Sequence, residues 1–131
     1  MEKTIYLCGG IKDLSLKEQT EWRDTATKEL YPRFKILNPM RRNFRDNEFQ
    51  SQNEIVSLDK KDVIDSDIIL VNGTKPSWGT SMEIMFAHER NKIVVVFTGK
   101  KYEYASPWVA YHATKVFEKL DDAIKYIKEM F

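Results

Sequence analysis

The sequence has a single cysteine, only five glycines and four prolines, and no long apolar run. The lone Cys8 excludes an internal disulfide, and we expect it to be a small buried residue in a reducing compartment. The N-terminal segment MEKTIYLCGG lacks the apolar core of a signal peptide. No stretch approaches the ~18 apolar residues that a membrane span needs. We therefore expect a cytoplasmic protein that does not bind membranes.

An excess of charge of one sign is also missing. The chain has 21 basic and 20 acidic residues, mixed along its length, and a formal net charge of +1. This balance gives no obvious surface for nucleic acid or anionic lipid, so the expected partner is a small molecule. The length of 131 residues fits one domain, 1–131, with a single core.

The common catalytic signatures are absent as well. The sequence contains no GxGxxG, GxxxxGK[ST] or GxSxG motif, and no cluster of His and Cys at metal spacing. His88 and His112 are isolated histidines on helical segments, where neighbouring groups usually satisfy them. We expect neither a metal nor a cofactor.

Apolar runs rich in β-branched and aromatic residues alternate with helical patterns. The runs cover 4–8, 34–37, 67–71, 92–97 and, more weakly, 114–117. Continuous rather than alternating apolar runs are typical of parallel strands covered on both faces. The pattern predicts a doubly wound α/β fold, flavodoxin-like or Rossmann-like, with five parallel strands and helices on both faces.

Capping signals set the expected helix limits. Capping boxes predict one helix from Ser15 to about Leu30 and a second after Ser51. A third helix is predicted over 80–91, and a last one follows Asp121. Ligands of such folds bind at the carboxyl ends of the strands. The expected site therefore lies among loops 9–13, 38–47, 72–79 and 99–106, of which the Arg-rich segment 38–50 is interpreted as a functional loop or lid.

Glu83 stands among the apolar residues of the third predicted helix, and it has two interpretations. It completes a capping box with Thr80, which would tie its carboxylate to the helix's own backbone. Alternatively, the first-turn helix dipole keeps it ionised as a nucleophile. Asp59 could face the same strand ends, and a pair of carboxylates suits cleavage of a glycosidic bond. Other candidates for the second carboxylate of this pair are Asp62, Asp65 and Asp67.

Three motifs carry a resemblance to a known family. They are IYLCGGI (5–11), DKKDVIDSDIILVNGTKPSWGTSMEIMFA (59–87) and ASPW (105–108). Together they resemble the nucleoside 2-deoxyribosyltransferase superfamily, closest to the branch of 2'-deoxynucleoside 5'-phosphate N-hydrolases and CMP N-glycosidases. The resemblance spans nearly the whole chain.

The resemblance implies roles for five residues near the sugar. Glu83 matches the nucleophile that forms an ester with C1', and Asp59 matches the acid that assists departure of the base. Tyr6 matches a tyrosine whose hydroxyl holds the nucleophile, although a strand tyrosine is also a common core residue. Gly9 and Gly10 are then interpreted as a close approach of the backbone to the ligand.

The resemblance also bears on the 5' end of the sugar. Transferases that act on free nucleosides carry Asp and Asn at the positions of Ser77 and Ser106, whereas the phosphate-cleaving branch carries serines. Serine hydroxyls and helix-start amides bind a phosphate that a carboxylate would repel, so a 5'-monophosphate is the expected substrate. Gly79, in the same PSxGxxxE run, is counted among the substrate-binding residues. In the family the second serine comes from a neighbouring subunit, which implies a homodimer at least.

One position departs from the family pattern. The phosphate hydrolases carry a serine at the position of Gly10, so this chain lacks one hydroxyl donor. Basic residues that could replace it are Lys12, Arg41 and Arg42. Aromatic candidates for stacking on the base are Trp22, Phe44, Phe49, Trp78 and Trp108.

The expected activity is hydrolysis of the N-glycosidic bond of (2'-deoxy)nucleoside 5'-monophosphates through a glycosyl-Glu83 intermediate. A nucleoside 2-deoxyribosyltransferase that moves 2-deoxyribose between bases is the first alternative. A non-catalytic nucleotide-binding module on the same fold is the second. A response-regulator receiver domain is disfavoured, because the acids do not cluster after the first strand.

Overall fold

The computed structural model describes residues 2–131, apart from the side chain of Arg45. The strands are β1 (Thr4–Gly9), β2 (Lys35–Leu37), β3 (Ile68–Asn72), β4 (Ile93–Phe97) and β5 (Lys115–Phe117). The α-helices are α1 (Leu16–Leu30), α2 (Gln52–Asp65), α3 (Trp78–Glu89), α4 (Pro107–His112) and α5 (Leu120–Met130). Short 3₁₀ helices cover Pro39–Arg41, Arg45–Asn47 and Tyr102–Tyr104.

The five strands form one parallel sheet in the order β2-β1-β3-β4-β5. This order confirms the predicted doubly wound fold. The chain leaves β1 for β2 on one side and returns to β3 on the other, so the topological switch point lies between β1 and β3. Ligands of doubly wound sheets bind beyond the carboxyl ends of the strands at this point.

An apolar core covers each face of the sheet. On one face α1 and α5 pack over the strands, with Ala26 and Ile127 fully buried. On the other face α2 and α3 contribute Val63, Ile84 and Ala87. Side chains alternate between faces along a strand, so Ile5 and Leu7 of β1 belong to the first core, whereas Tyr6 and Cys8 belong to the second. Tyr6 and Cys8 therefore lie beneath α3.

The capping predictions have mixed outcomes. Ser15 and Glu18 form the expected capping box at α1, with bonds of 3.1 and 3.0 Å. Ser51 is the N-cap residue of α2, but among the described residues its side chain makes no capping hydrogen bond. Helix α3 begins earlier than predicted, because Ser77 rather than Thr80 is its N-cap and accepts the Thr80 amide at 3.3 Å.

The last predicted helix is confirmed as α5, whose buried face carries Ala123, Ile124 and Ile127. Ser106 and Pro107 also suit an N-cap and a first helical residue, and α4 begins at Pro107 with Ser106 as its N-cap. The 3₁₀ helices were not predicted. Between residues 2 and 131, no helix combines the length and apolar character required to cross a bilayer.

Candidate active site

The Glu83 carboxylate is held from beneath by two side chains of β1. The Tyr6 hydroxyl donates a hydrogen bond of 2.5 Å to Glu83 Oε2, and the Cys8 thiol lies 3.5 Å from Oε1. Residues two apart on a strand share a face, so β1 presents one donor to each carboxylate oxygen. The capping-box interpretation of Glu83 is therefore wrong, because the carboxylate bonds to β1 and not to the start of its own helix.

Burial controls the protonation of Glu83. Removal from water raises the pKa of its carboxyl from 4.5 to about 7, and the nearby charge of Asp59 adds to the rise. Hydrogen bonds from Tyr6 and Cys8, with the charge of Arg23, oppose it. The prediction that a first-turn dipole keeps Glu83 ionised is wrong, since the residue lies in the second turn of α3 and removal from water raises the pKa of its carboxyl. Near neutral pH the protonated and ionised forms coexist.

Tyr6 and Cys8 remain hydrogen-bond donors at neutral pH. Burial and the neighbouring Glu83 raise the pKa of the Tyr6 hydroxyl far above its ordinary value. The same two causes raise the pKa of the Cys8 thiol. Both groups therefore stay protonated and can donate hydrogen bonds to the Glu83 oxygens.

Glu83 opens into a cavity of about 470 Å³ at the switch point. Asp59 of α2 lines the same cavity, so the structure brings the two predicted carboxylates to one space. The remaining walls come from the loop after β1, α1, the Arg-rich segment, α2 and the start of α3. Their side chains and backbone include Gly9, Ile11, Lys12, Gln19, Pro39, Met40, Arg42, Asn43, Phe44, Glu48, Gln52, Ile55, Val56, Ser77, Gly79 and Thr80.

Two arginines tie the Arg-rich segment to α2. Arg42 Nη2 donates to Asp59 Oδ1 at 3.1 Å and to Asp62 Oδ2 at 2.8 Å. Arg41 Nη2 donates to Asp62 Oδ1 at 2.8 Å. Burial raises the pKa of Asp59, although Arg42 opposes the rise. Burial would also raise the pKa of Asp62, but its hydrogen bonds with the two arginines outweigh burial and hold it below the ordinary value.

The other candidates for the second carboxylate are paired with arginine, lysine or backbone groups. Asp62 is buried beneath Arg41 and Arg42. Asp65 pairs with Lys61 at 2.5 Å, and Asp67 accepts the Thr4 amide at 2.9 Å. Asp59 is the acid of this group that lines the Glu83 cavity.

The predicted glycines have different surroundings. Gly9 lines the Glu83 cavity, and a Cβ there would lie 2.8 Å from the Trp22 ring. Close packing against Trp22 therefore requires glycine at position 9, whatever the ligand. Gly10 lines a separate cavity beside α1, and a Cβ there would lie 3.6 Å from the Ser77 Cβ. A Cβ at Gly79 would meet open space.

The two predicted phosphate-binding serines lie around adjoining cavities. Ser77 caps α3 and lines the Glu83 cavity. Ser106 precedes Pro107 at the start of α4 and lines a neighbouring cavity of about 380 Å³. Ser77 and Thr80 line both cavities. Within one chain, Ser106 is thus separated from the Glu83 cavity by the start of α3.

The aromatic and basic candidates divide between the cavity and the rest of the fold. Phe44, Lys12 and Arg42 line the Glu83 cavity. Both arginines are paired, Arg41 with Asp62 and Arg42 with Asp59 and Asp62. Trp22 packs edge-to-face on Phe97 in the α1–α5 core. The remaining aromatic candidates are largely exposed: Phe49, Trp78 and Trp108.

The histidines do not join the cavity lining. His88 Nδ1 lies 3.2 Å from the His112 carbonyl oxygen, and His112 Nδ1 lies 2.7 Å from that of Trp108. Both rings therefore have local partners. The described side chains include no group of three or more His, Cys, Asp or Glu that could hold a metal ion.

Sequence reasoning missed Arg23 and the contact of Cys8 with Glu83. Arg23 is fully buried and donates to the carbonyl oxygens of Leu7, Gly9 and Gln19 at 3.3, 3.0 and 2.7 Å. It thereby fixes the end of β1 that carries the site. Its position on the buried face of α1, three residues before Ala26, is a signal that could have identified it.

Comparison with known proteins supports the fold. No protein-family model matches the sequence, and no curated protein matches it by sequence. A conserved protein from Enterococcus faecalis V583 superposes with a TM-score of 0.76 at 14% identity, covering 100% of both chains. The Clostridium botulinum CMP N-glycosidase gives 0.66 at 18% identity, covering 98% of this chain and 100% of its own. A 2-deoxyribosyltransferase from Bacillus psychrosaccharolyticus gives 0.75 at 16% identity, with coverages of 94% and 91%.

These similarities define the fold of the chain. The chain has the α/β fold of nucleoside 2-deoxyribosyltransferases and of a CMP N-glycosidase. This finding confirms the fold that the three sequence motifs imply.

Proposed function

We propose that the protein cleaves the N-glycosidic bond of (2'-deoxy)nucleoside 5'-monophosphates through a covalent glycosyl-Glu83 intermediate. The observation that carries the proposal is a half-buried carboxylate, held by Tyr6 at 2.5 Å, on the wall of a cavity that Asp59 also lines. Two solved structures share this fold, a CMP N-glycosidase and a 2-deoxyribosyltransferase. Their names describe enzymes that act on this kind of bond.

The proposed reaction is a double displacement. Ionised Glu83 attacks C1' of the sugar, and the electron pair of the C1'–N bond leaves with the base. Asp59, which lines the same cavity, donates a proton to the departing base. Water then attacks C1' of the ester, Asp59 takes the proton from that water, and Glu83 is released as a carboxylate.

The cavity has an apolar part and a polar part that match the two ends of a nucleotide. Met40, Phe44, Ile55 and Val56 offer apolar surface for a base. At the start of α3, the hydroxyl of Ser77 and the free amides of the first turn suit the 5'-phosphate. Lys12 supplies positive charge in the same lining, as a phosphate requires, whereas Arg42 is already paired with Asp59 and Asp62.

A homodimer is part of the proposal. Trp78 and Met82 are 88% and 68% exposed, and with Met85 they form an apolar stripe along α3. Trp108 and Tyr111 expose further aromatic surface on α4. Apolar surfaces of this kind mark protein interfaces. In the proposed dimer this surface is buried, and Ser106 of one copy reaches the phosphate bound by the other.

Chromatography of reaction mixtures tests the activity. The protein is incubated with a panel of nucleosides and their 5'-monophosphates, each with and without a second base. Free base released from monophosphates in water supports the proposal. Exchange that requires both a free deoxynucleoside and a second base would instead establish the transferase. Nucleotide binding with no base release from any substrate would establish a non-catalytic module.

Replacing Gly79 with Ala is expected to stabilise the fold while weakening phosphate binding. Alanine is favoured over glycine in a helix by roughly 0.5–1 kcal/mol, and the new methyl group meets open space. The same methyl group narrows the approach of a phosphate to the first-turn amides. We expect a higher melting temperature and a several-fold higher KM for monophosphates. The KM for the corresponding free nucleoside is the control and should stay unchanged.

Replacing Tyr6 with Phe is expected to slow base release by roughly 10–100-fold and to shift its pH dependence. The substitution removes the 2.5 Å hydrogen bond to Glu83, a bond that lowers the pKa of this carboxyl. The acid limb of the kcat/KM profile should therefore move to higher pH. If the acid limb of the profile stays at its wild-type pH, the Tyr6 hydroxyl does not affect the pKa of Glu83, and Tyr6 acts only in packing.

A further inference from the structure

The mechanism proposed above leaves one buried reactive group unused, the thiol of Cys8. This side chain has no exposed surface, and its Sγ lies 3.5 Å from Glu83 Oε1. Resting on the proposed role of Glu83, we propose that Cys8 is a positioning residue whose thiol donates a hydrogen bond to Oε1. Tyr6 on Oε2 and Cys8 on Oε1 then hold the carboxylate in one orientation towards the cavity.

The surroundings of Cys8 direct its thiol to Glu83. In the sheet Cys8 is in register with Val71 of β3. The core on this face of the sheet consists of apolar side chains that include Val94 and Val96. These neighbours offer no side-chain acceptor, so the Glu83 carboxylate is the acceptor that the thiol meets.

A thiol suits a nucleophile better than a stronger donor would. An S–H group is a weak hydrogen-bond donor, so it orients Oε1 while withdrawing little electron density from it. A hydroxyl at this position would stabilise the carboxylate more and make it a poorer nucleophile. Because burial keeps the Cys8 thiol protonated, it does not add a second negative charge beside Glu83.

The charged and titratable groups that influence the titration of Glu83 come from three elements. Tyr6 and Cys8 belong to β1, Asp59 to α2 and Arg23 to α1. A substitution at position 8 leaves the other three in place. A change in the titration of Glu83 can therefore be assigned to the thiol.

Two variants of opposite effect test this role. Cys8→Ala removes the donor, so the acid limb of the kcat/KM profile should move up by about half a pH unit. Cys8→Ser supplies a stronger donor, so the limb should move down by a similar amount. A purely packing role predicts lower stability in both variants and an acid limb at the wild-type pH. That result would overturn the inference.

The pH dependence of the unfolding free energy reports the pKa of Glu83 without any need for turnover. We expect Cys8→Ala to raise the pH at which the contribution of Glu83 to the unfolding free energy is lost, and Cys8→Ser to lower it. In a Glu83→Gln background both shifts should vanish. If the wild-type protein released no base but these stability shifts appeared, the contact of Cys8 with Glu83 would stand and the proposed function would fail. Base release with unchanged profiles in both variants would reject the role of Cys8 alone.

Discussion

Glu83→Gln is expected to lower base release by at least about 10³-fold, because glutamine cannot form the ester with C1'. Glutamine keeps the shape of the side chain and can still meet the Tyr6 hydroxyl, so nucleotide binding should persist. Initial rates of base release and equilibrium binding of a monophosphate measure the two effects. Glu89→Gln is the matched control, since Glu89 is an exposed glutamate at the end of the same helix.

The covalent intermediate gives this prediction a second readout. Wild-type protein quenched during turnover should carry a sugar phosphate adduct in its intact mass, and peptide mapping should locate the adduct at Glu83. The Glu83→Gln protein should carry none. Turnover near the wild-type rate in this variant would exclude Glu83 as the nucleophile.

Glu83→Gln is also expected to stabilise the folded protein at alkaline pH. The pKa of Glu83 rises from 4.5 to about 7 on folding, so the folded state holds this proton more tightly than the unfolded state. The associated stability is complete below the unfolded pKa and is lost as the pH rises through the folded value. The loss amounts to about 3 kcal/mol by pH 8, and a neutral glutamine does not incur it.

Urea unfolding at pH 5 and pH 8 measures this effect. The unfolding free energy of Glu83→Gln relative to wild type should be larger at pH 8 by about 2–3 kcal/mol. The exposed Glu89→Gln variant should show no such change. An equal difference at both pH values would mean that Glu83 titrates near its ordinary pKa, and the raised pKa of its carboxyl in the folded protein would then be wrong.

The sheet could be predicted because its strands are marked locally. Each of the five apolar runs becomes a strand whose limits differ from the prediction by a residue or so. Helix limits that depend on tertiary contacts were harder to predict from the sequence. Ser77 and Thr80 both suit an N-cap, and the path of the chain leaving β3 selects Ser77. That choice moves Glu83 from the first turn of α3 to the second.

The site was partly predictable for a similar reason. Motif resemblance placed Glu83, Asp59 and Tyr6 together. In the structure Glu83 and Asp59 line one cavity, and Tyr6 donates a hydrogen bond to Glu83 from the core beneath it. The raised pKa of Glu83 could not be predicted, because it arises from the packing of α3 on β1 rather than from neighbours in sequence. The contact with Cys8 was missed for the same reason.

The position of β1 between β2 and β3 has a consequence for motion at the site. Amide hydrogens of Tyr6 and Cys8 lie in paired strands, so we expect them to exchange with deuterium only in the rare global unfolding event. The opposite wall, residues 39–47, contains two short 3₁₀ turns joined by irregular backbone, and its amides should exchange through small local openings. Solvent and ligand can then enter through one wall while the other keeps the carboxylate still.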